Sequence, residues 1–589
     1  MTPHRFMAFI GGGPSGDRLR RLVETAAWFG LQPVFRGNGL VVLASRETPV
    51  IVTTDNHGVV IGIVFERGGE PGSIYRRAAS ITAPDGCETD LLGAYWGSFV
   101  AFAVDEPHHA VRVCRDPSGS IDCYRSRQSG IDVVYSDVAA AHGLGLIDGK
   151  PDATMIAQHL TYGGLRVEQT ALGGVLEVLP GSTVSLDGAG AATPRCSWTP
   201  WAFADKDHQI TDHQAAAALV RLETQRCVSA WASQSPSILH GLSGGLDSSI
   251  VAACLAGDAR ALSCINVVTP DPGADERLYA EQVARHIAAP LCTVSLDVAD
   301  SSLGGLAEIM TARPGSGMLH QVIDRVLTRE VERTGAQTCF SGGGGDNVFC
   351  YLHTAAPATD ALRRHGLGPV FWQSLGDLAA MHGCTTWRAG RLAFRKAWRP
   401  LKAWPSTTDF LARDATPASP PFHPWLQAPR GALPGQQEHI YALMSAQNPV
   451  SSQASHGPAR ICYPLLSQPL VELCLRIPSW MWIAGGRNRA VARDAFGERL
   501  PRAILQRRTK GDFTGFLGAL YETHRLDLAD LLLDGWLATQ GLLDRDAIEA
   551  YLTSKTPVTD NRFYRLMGLA TAEVWARSWL SRPAAAMLV

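Results

Sequence analysis

The stretch His240-Gly241-Leu242-Ser243-Gly244-Gly245-Leu246-Asp247-Ser248-Ser249 constrains the fold of this chain more than any other. Ser237-Ile238-Leu239 before it reads as a short buried strand, and Ile250, Val251, Cys254 and Leu255 after it share one helical face. A strand that turns on two glycines into a helix makes an anion pocket. The backbone can approach closely, unpaired N–H groups point outward, and the helix dipole adds positive potential. Asp247 opposes a phosphate there unless a divalent cation comes between them, so the pattern implies a nucleotide carried in with Mg²⁺. No Walker lysine is present, which argues against a kinase-like γ-phosphate site. The candidate nucleotide-binding positions are therefore Leu242, Ser243, Gly244, Gly245, Asp247, Ser248 and Ser249, joined by Asn266 on the following strand.

From about residue 213 strands and helices alternate. A helix is expected over 213–232, then the opening strand and loop, a strand at Leu262–Val268 and a helix from Glu276 carrying Tyr279, Val283 and Ile287. Leu291–Val294 is the next strand. A helix with Val322, Ile323, Val326, Leu327 and Val331 leads into strand Thr338–Phe340. This order predicts a doubly wound parallel sheet, whose ligands sit beyond the C-terminal strand ends. Beyond residue 355 the pattern is mainly helical, with a Pro-rich interruption from Pro405 to Pro434.

A second glycine loop, Ser341-Gly342-Gly343-Gly344-Gly345-Asp346-Asn347, repeats the physics of the first. It adds Ser341 and Gly342 to the nucleotide-binding set, and Asp247 and Asp346 at neighbouring strand ends can share one Mg²⁺ bridging triphosphate oxygens. The alternative is a flexible loop with a helix-capping aspartate. A third element, Arg507-Arg508-Thr509-Lys510-Gly511-Asp512-Phe513, places Lys510 as a group that could hold an α-phosphate and stabilise a tetrahedral oxyanion. Its alternative is a solvated basic run.

Residues 1 to about 200 read as mostly β, with short apolar runs at Leu40–Leu43, Val50–Val52, Val59–Val64, Gly97–Val104, Ala110–Cys114 and Ile131–Tyr135. Leu19, Leu22, Val23 and Ala26 mark one early helix. Two sheets with a few helices against them are the natural assembly. At 589 residues the chain exceeds a single core. The expected domains are 1–205 and 206–589, with the boundary in the stretch around Trp198 to Asp212. A formal net charge of -2 gives no global pull toward nucleic acid or an anionic membrane. No run approaches a membrane span and no signal peptide is evident. The 13 cysteines form no C-x-x-C pair, which fits reduced thiols and a cytoplasmic location.

These motifs together resemble the synthetase domain of the asparagine synthetase family. SGGLDSS, the second loop and Lys510 match, as do Asp275-Glu276 with Tyr279-Ala280, and Cys462-Tyr463-Pro464-Leu465-Leu466, in family order over roughly 235 to 515. The N-terminal part resembles that family's Ntn-type glutaminase domain at Leu92–Phe99, Arg115–Gly119 and Tyr135–Val138. The implied architecture is a degenerate glutaminase-like α+β domain followed by an α/β ATP-pyrophosphatase domain with a helical C-terminal region. Two departures stand out. The family's glutaminase uses a Cys immediately after the initiator Met. Here Thr2-Pro3 follow Met1, so the domain is expected to keep its fold without releasing ammonia. Gly343 stands where asparagine synthetases carry Glu and β-lactam synthetases carry Tyr, and Asn347 replaces a usual acid. The expected consequence is a wider acceptor side without the familiar proton acceptor.

Both departures resemble the lasso peptide macrolactam cyclases. That resemblance implies adenylation of an Asp or Glu side chain in a ribosomal precursor peptide, using ATP and Mg²⁺. The peptide's N-terminal amine then attacks, AMP leaves, and an isopeptide ring closes. Asp247, Asp346 and Lys510 are the implied catalytic groups, with Asp247 and Asp346 the metal ligands. The implied partners are the precursor, a leader-recognition protein and a leader protease. Orienting amine and adenylate can be worth ~7–11 kcal/mol of barrier. Glu276 and His320 are open candidates for the general base. The alternatives are an asparagine synthetase using free ammonia, a β-lactam-forming enzyme, and a nucleotide-binding regulator with a dead synthetase site. Finally, Trp387, Arg388, Arg391, Phe394, Arg395, Lys396, Trp398, Arg399, Lys402 and Trp404 interleave aromatic and basic residues. They suit either a peptide or partner surface, or an amphipathic helix that packs its tryptophans and snorkels its arginines.

Overall fold

Apolar runs in the N-terminal part are buried on both sides, and this sets its layering. In the strand Phe6–Ile10, Phe6, Ala8 and Ile10 point into one core while Met7 and Phe9 point into another. The first core lies between two six-stranded antiparallel sheets. The second lies under the helix Gly16–Ala26, through its Leu22, Val23 and Ala26. The computed structural model describes residues 4–11, 16–68, 73–81, 88–257, 261–271, 275–307, 310–315, 317–453, 459–508, 511, 513–554 and 560–582.

One antiparallel sheet runs in the order Leu176–Glu177, Tyr124–Gln128, Ile131–Tyr135, Phe6–Ile10, Leu40–Ser45, Leu31–Gly37. The other runs Ala192–Cys196, Ser182–Leu186, Ala110–Arg115, Tyr95–Asp105, Gly58–Glu66, Val50–Val52. The second sheet also carries an aromatic patch on its outer face. Phe65 and Trp96 meet Trp231 at ring-centroid distances of 5.1 and 5.9 Å, joining this sheet to the helix His213–Ala232. Trp198 and Trp201, in the expected boundary stretch, are both buried, and the Trp198 indole N–H donates to Glu472 at 2.8 Å.

The C-terminal part is built on a five-stranded, all-parallel sheet in the order Leu291–Ser295, Ala261–Val268, Ser237–Gly241, Thr338–Ser341, Arg460–Cys462. Its first strand in the chain is central, two strands are added on one side, and the next two on the other. The direction of winding therefore reverses between Ser237–Gly241 and Thr338–Ser341. A crevice opens beyond the strand ends at such a reversal. Both glycine loops leave from these two strands, where Gly241 lies opposite Ser341. The helix Leu246–Leu255 is buried along its whole length, as expected for an element packed between a sheet and another layer.

Helices complete this part, with Thr514–Leu533, Arg545–Thr553 and Arg562–Leu580 sharing one core. In the Trp- and Arg-rich stretch the two readings divide. Trp404 is buried, whereas Trp387 and Trp398, at 82% and 87% exposure, stand in solvent beside the helix Thr386–Ala397. No helix among the described residues is long and apolar enough to cross a membrane. Every cysteine among them is a free thiol.

Candidate functional site

The two glycine loops press on each other, and that contact explains their composition. A Cβ on Gly342 would lie 2.5 Å from the Ser248 backbone nitrogen, and one on Gly345 would lie 2.5 Å from the Asp247 Cβ. Close approach, rather than flexibility, requires glycine at both positions. The result is a cleft of about 310 Å³ at the strand ends. Of the positions expected from sequence, Leu242, Ser243, Gly245, Asp247 and Ser248 line it from the first loop, and Ser341, Gly342 and Asp346 from the second.

Three expected ligands do not face the cleft. Ser249 is fully buried, and its hydroxyl donates to the Gly245 carbonyl at 2.7 Å. Asn266 is 1% exposed and donates from Nδ2 to the Leu242 carbonyl at 2.8 Å. Gly244 sits against Tyr279 and Ala280 in a left-handed conformation, φ 74°. The Ser249 and Asn266 side chains and the Gly244 turn hold the loop to its helix and to the neighbouring strand. His240 does similar work: its ring nitrogens lie 2.8 and 3.1 Å from the Ser248 and Phe340 carbonyls, and the ring donates its one N–H to one of them. Burial pushes its pKa down to about 4, so it is neutral at pH 7.

Arg489, which the sequence did not single out, provides the site's main electrostatic feature. Its Nη1 donates to Asp247 at 2.8 Å and also to Asp346, and its guanidinium lies 4.8 Å from the centre of the Tyr351 ring. Burial works against its charge, but the two carboxylates hold its pKa above the ordinary value. Arg493, four residues on, is pushed down to about 10 by burial and by the nearby Arg489 and Arg487. Its guanidinium donates to the carbonyls of Asn488 at 2.8 Å and Leu505 at 2.7 Å, fastening the approach to the third motif. A signal for both was present in Arg489-Ala490-Val491-Ala492-Arg493: two arginines one helical turn apart among small apolar residues.

Two carboxylates that reach one nitrogen atom are close enough to hold a common small cation. Their all-oxygen donor set suits Mg²⁺, which takes one or two carboxylates and completes its shell with phosphate and water oxygens. No cluster of three or more His, Cys, Asp or Glu suited to a metal exists among the described residues. The remaining coordination positions would thus belong to the nucleotide and water, and Arg489 would have to yield Nη1.

Lys510 lies outside the described residues, but its flanks are tied to the cleft. Arg507 pairs with Glu276, donates to the Gly244 carbonyl at 3.3 Å and lies over the Tyr279 ring at 4.0 Å. The Gly511 amide also donates to Glu276, at 2.8 Å. Glu276 is thus engaged from both sides as an anchor for 507–511, a poor position for a general base. His320, on the helix Met318–Thr334, is absent from the cleft lining, and burial lowers its pKa. The expected widening at Gly343 is corrected by the structure. A Cβ there would lie 2.8 Å from Tyr463 Cε1, so the Tyr463 ring fills the space that the missing side chain leaves. Asn347 lines the cleft and donates from Nδ2 to the Ala442 carbonyl at 2.7 Å.

The sequence profile of the asparagine synthase family matches residues 220–577, which contain both loops and Arg489. The chain belongs to the asparagine synthase family. Membership brings ATP-dependent amide-bond formation as its general chemistry. No curated protein matches the chain. Among solved structures, it is similar to glutamine phosphoribosylpyrophosphate amidotransferase from B. subtilis complexed with ADP and GMP. That likeness has 10% identity, covers 49% of this chain and 65% of that one, and has a TM-score of 0.20. A structure titled as the allosteric regulatory enzyme of purine biosynthesis matches at 11% identity, 50% and 74% coverage and a TM-score of 0.18. The chain spans about two thirds of the first relative's length, and superpositions this loose carry no functional argument.

Proposed function

We propose that the protein is an ATP-dependent macrolactam cyclase that joins an Asp or Glu side chain of a lasso-type precursor peptide to the peptide's own N-terminal amine. The arrangement of the cleft supports this reading. The first-loop amides and the N-terminus of Leu246–Leu255 would receive nucleotide phosphates. Asp247 and Asp346 would hold Mg²⁺, which when bound draws charge from the departing pyrophosphate. The substrate carboxylate attacks the α-phosphorus, pyrophosphate leaves, and an acyl-adenylate forms. The amine then attacks the acyl carbon, loses a proton and expels AMP. Lys510 is the proposed stabiliser of the oxyanion.

The observation that supports the finer reading is Gly343. The asparagine- and β-lactam-forming relatives bear a functional side chain there, and in this protein Tyr463 leaves no room for one. An acceptor that brings its own positioning, such as a peptide folded on itself, needs less from that position than free ammonia does. The partners under this reading are the precursor, a leader-recognition protein and a leader protease, with Trp387 and Trp398 as exposed contact residues. The proposed location is the cytoplasm.

The test is incubation with ATP, Mg²⁺ and a core peptide bearing an N-terminal Gly and an acidic residue several positions on. The expected result is loss of one water from the peptide, with one AMP and one pyrophosphate per product. Conversion of aspartate and ammonia to asparagine, with no peptide modified, would overturn the proposal.

A further inference from the structure

A second cavity, of about 600 Å³, lies between the antiparallel sheets and the parallel sheet. Its walls include His4 and Asp122 from the N-terminal part, and Trp231, Arg460 and Tyr463 from the C-terminal part. The size falls in the range of small-molecule sites. It is separated from the nucleotide cleft by little more than the Tyr463 ring, which lines this cavity and presses against Gly343 of the other.

Among the described residues, three groups in this wall have a buried polar atom without a hydrogen-bond partner: His4, Arg460 and Asp122 through its Oδ1. His4 is 8% exposed, and neither ring nitrogen has a hydrogen-bond partner. Burial, reinforced by Arg460 and Arg77, pushes its pKa down to about 3, so at pH 7 it offers one N–H and one lone pair. Arg460 has its Nε enclosed without an acceptor among the described residues, and its guanidinium lies over the Trp231 face, at 5.3 Å. No carboxylate among the described residues forms an ion pair with it, and burial lowers its pKa. An enclosed cation without a counter-charge costs stability unless something else supplies that charge.

Most of the other charged groups on the wall have an opposite charge beside them. Arg5 pairs with Asp137 at 3.5 Å. Asp122 lies 3.8 Å from both Arg115 and Arg166, which together with Arg313 also hold Glu177. Arg582 contributes a further positive group. The excess charge around the chamber is therefore positive, and Arg460, beside a neutral histidine, is one of the cations without an ion pair among the described residues.

We infer that this chamber is a binding site for a carboxylate-bearing ligand, a small organic acid or the acidic end of a short peptide, with the carboxylate on Arg460 and a neighbouring polar group on His4. The inference is independent of which amide the nucleotide cleft forms.

Isothermal titration calorimetry on the full chain tests it, with glutarate as the small-acid probe and Gly-Gly-Glu as the peptide probe. Glutaramide and the fully amidated Gly-Gly-Gln serve as neutral counterparts. At least one acid is expected to bind saturably and at least tenfold more tightly than its amide. Binding of glutarate alone identifies the small-acid source, and binding of Gly-Gly-Glu alone identifies the peptide source. Arg460→Met is expected to abolish the binding. Arg460→Lys, which keeps the charge if the methionine variant fails to fold, is expected to retain part of it, with nucleotide affinity unchanged as the control for folding. Equal binding of acid and amide, undiminished binding by Arg460→Met, or no saturable binding by either acid would overturn the inference.

Discussion

Replacing Arg489 with methionine isolates what the arginine does between Asp247 and Asp346. Methionine is also unbranched, and the left-handed backbone at this position, φ 50°, burdens both residues alike. Arg489→Met therefore removes the charge and its hydrogen bonds with little else. Removing one member of a buried ion pair costs about 3–5 kcal/mol. The Asp247 side chain is only 10% exposed, but that of Asp346 is 35% exposed and its charge is partly screened by water. The lower end, about 3 kcal/mol, is appropriate. At about 2 °C per kcal/mol for a large domain, melting in EDTA should fall by about 6 °C. Magnesium then separates a structural from a functional role. In the native protein the cation must displace Nη1, whereas in Arg489→Met that competitor is gone. Saturating Mg²⁺ should thus raise the variant's melting temperature more than the native protein's. A free cation at 100 times its Kd would return about 2.7 kcal/mol, most of the loss. Differential scanning fluorimetry in EDTA and in a Mg²⁺ series provides the measurement. An unchanged melting temperature in EDTA, or an equal response of both proteins to Mg²⁺, would refute the view that Arg489 occupies the cation's place.

Gly343→Ala should weaken nucleotide binding, because its Cβ would lie 2.8 and 3.0 Å from two carbons of the Tyr463 ring, an overpacking cost of about 1–3 kcal/mol. Calorimetry with Gly343→Ala/Tyr463→Ala should show recovery relative to the single variant, and no recovery would mean that the ring is not the obstacle. Asp247→Ala should abolish ATP consumption measured by pyrophosphate release, and retained turnover would remove Asp247 from the proposed chemistry. For pH, His240 has its folded pKa lowered to about 4, so the unfolded chain binds more protons below its ordinary value of about 6.5. The stability it contributes is present above pH 6.5 and is lost as pH falls toward 4, by up to about 3 kcal/mol. His240→Gln should flatten that loss in urea midpoints measured from pH 4.5 to 7.5. Asp360 works in the opposite sense: burial raises its pKa to about 7, so its contribution falls as pH rises from about 4 to 7. Asp360→Asn should therefore gain relative stability at the upper end of the same series.

Most of the parallel sheet was legible because each strand is a short apolar run ending in glycine or polar residues, with an amphipathic helix before the next. Its fifth strand, Arg460–Cys462, was not, since three residues beginning with arginine carry no period to read. Phe6–Ile10 escaped for a different reason. It is an unbroken apolar run buried on both faces, like Leu40–Ser45, and five such residues at the start of a chain do not by themselves separate a strand from a buried helical turn. At the site, the loops were readable because strand, glycines and acid state their chemistry locally. Arg489 was harder to place: the Arg489–Arg493 pair is visible locally, but it arrives from 242 positions beyond Asp247, and nothing local says which groups it meets. Ser249 and Asn266 lie in or near the motif yet serve the backbone. Motif membership locates a loop without deciding which of its side chains face the ligand.

Gly343 shows a further limit of reading by absence. A missing side chain suggests a larger pocket only if nothing moves in to replace it, and close packing makes replacement the ordinary outcome. Here the replacement is Tyr463, which belongs to the same short segment as Arg460 and Ser467. Arg460 lies over the Trp231 indole, and Ser467 accepts the N–H of that indole at 2.9 Å. One stretch of chain, fixed at both ends to a single tryptophan, thus forms the wall between the phosphate-binding loop and the chamber behind it. A substitution at Tyr463 alters both cavities together, whereas substitutions at Arg460 or Asp346 each alter one. The two cavities can be separated experimentally at those outer positions, but not at the ring that divides them.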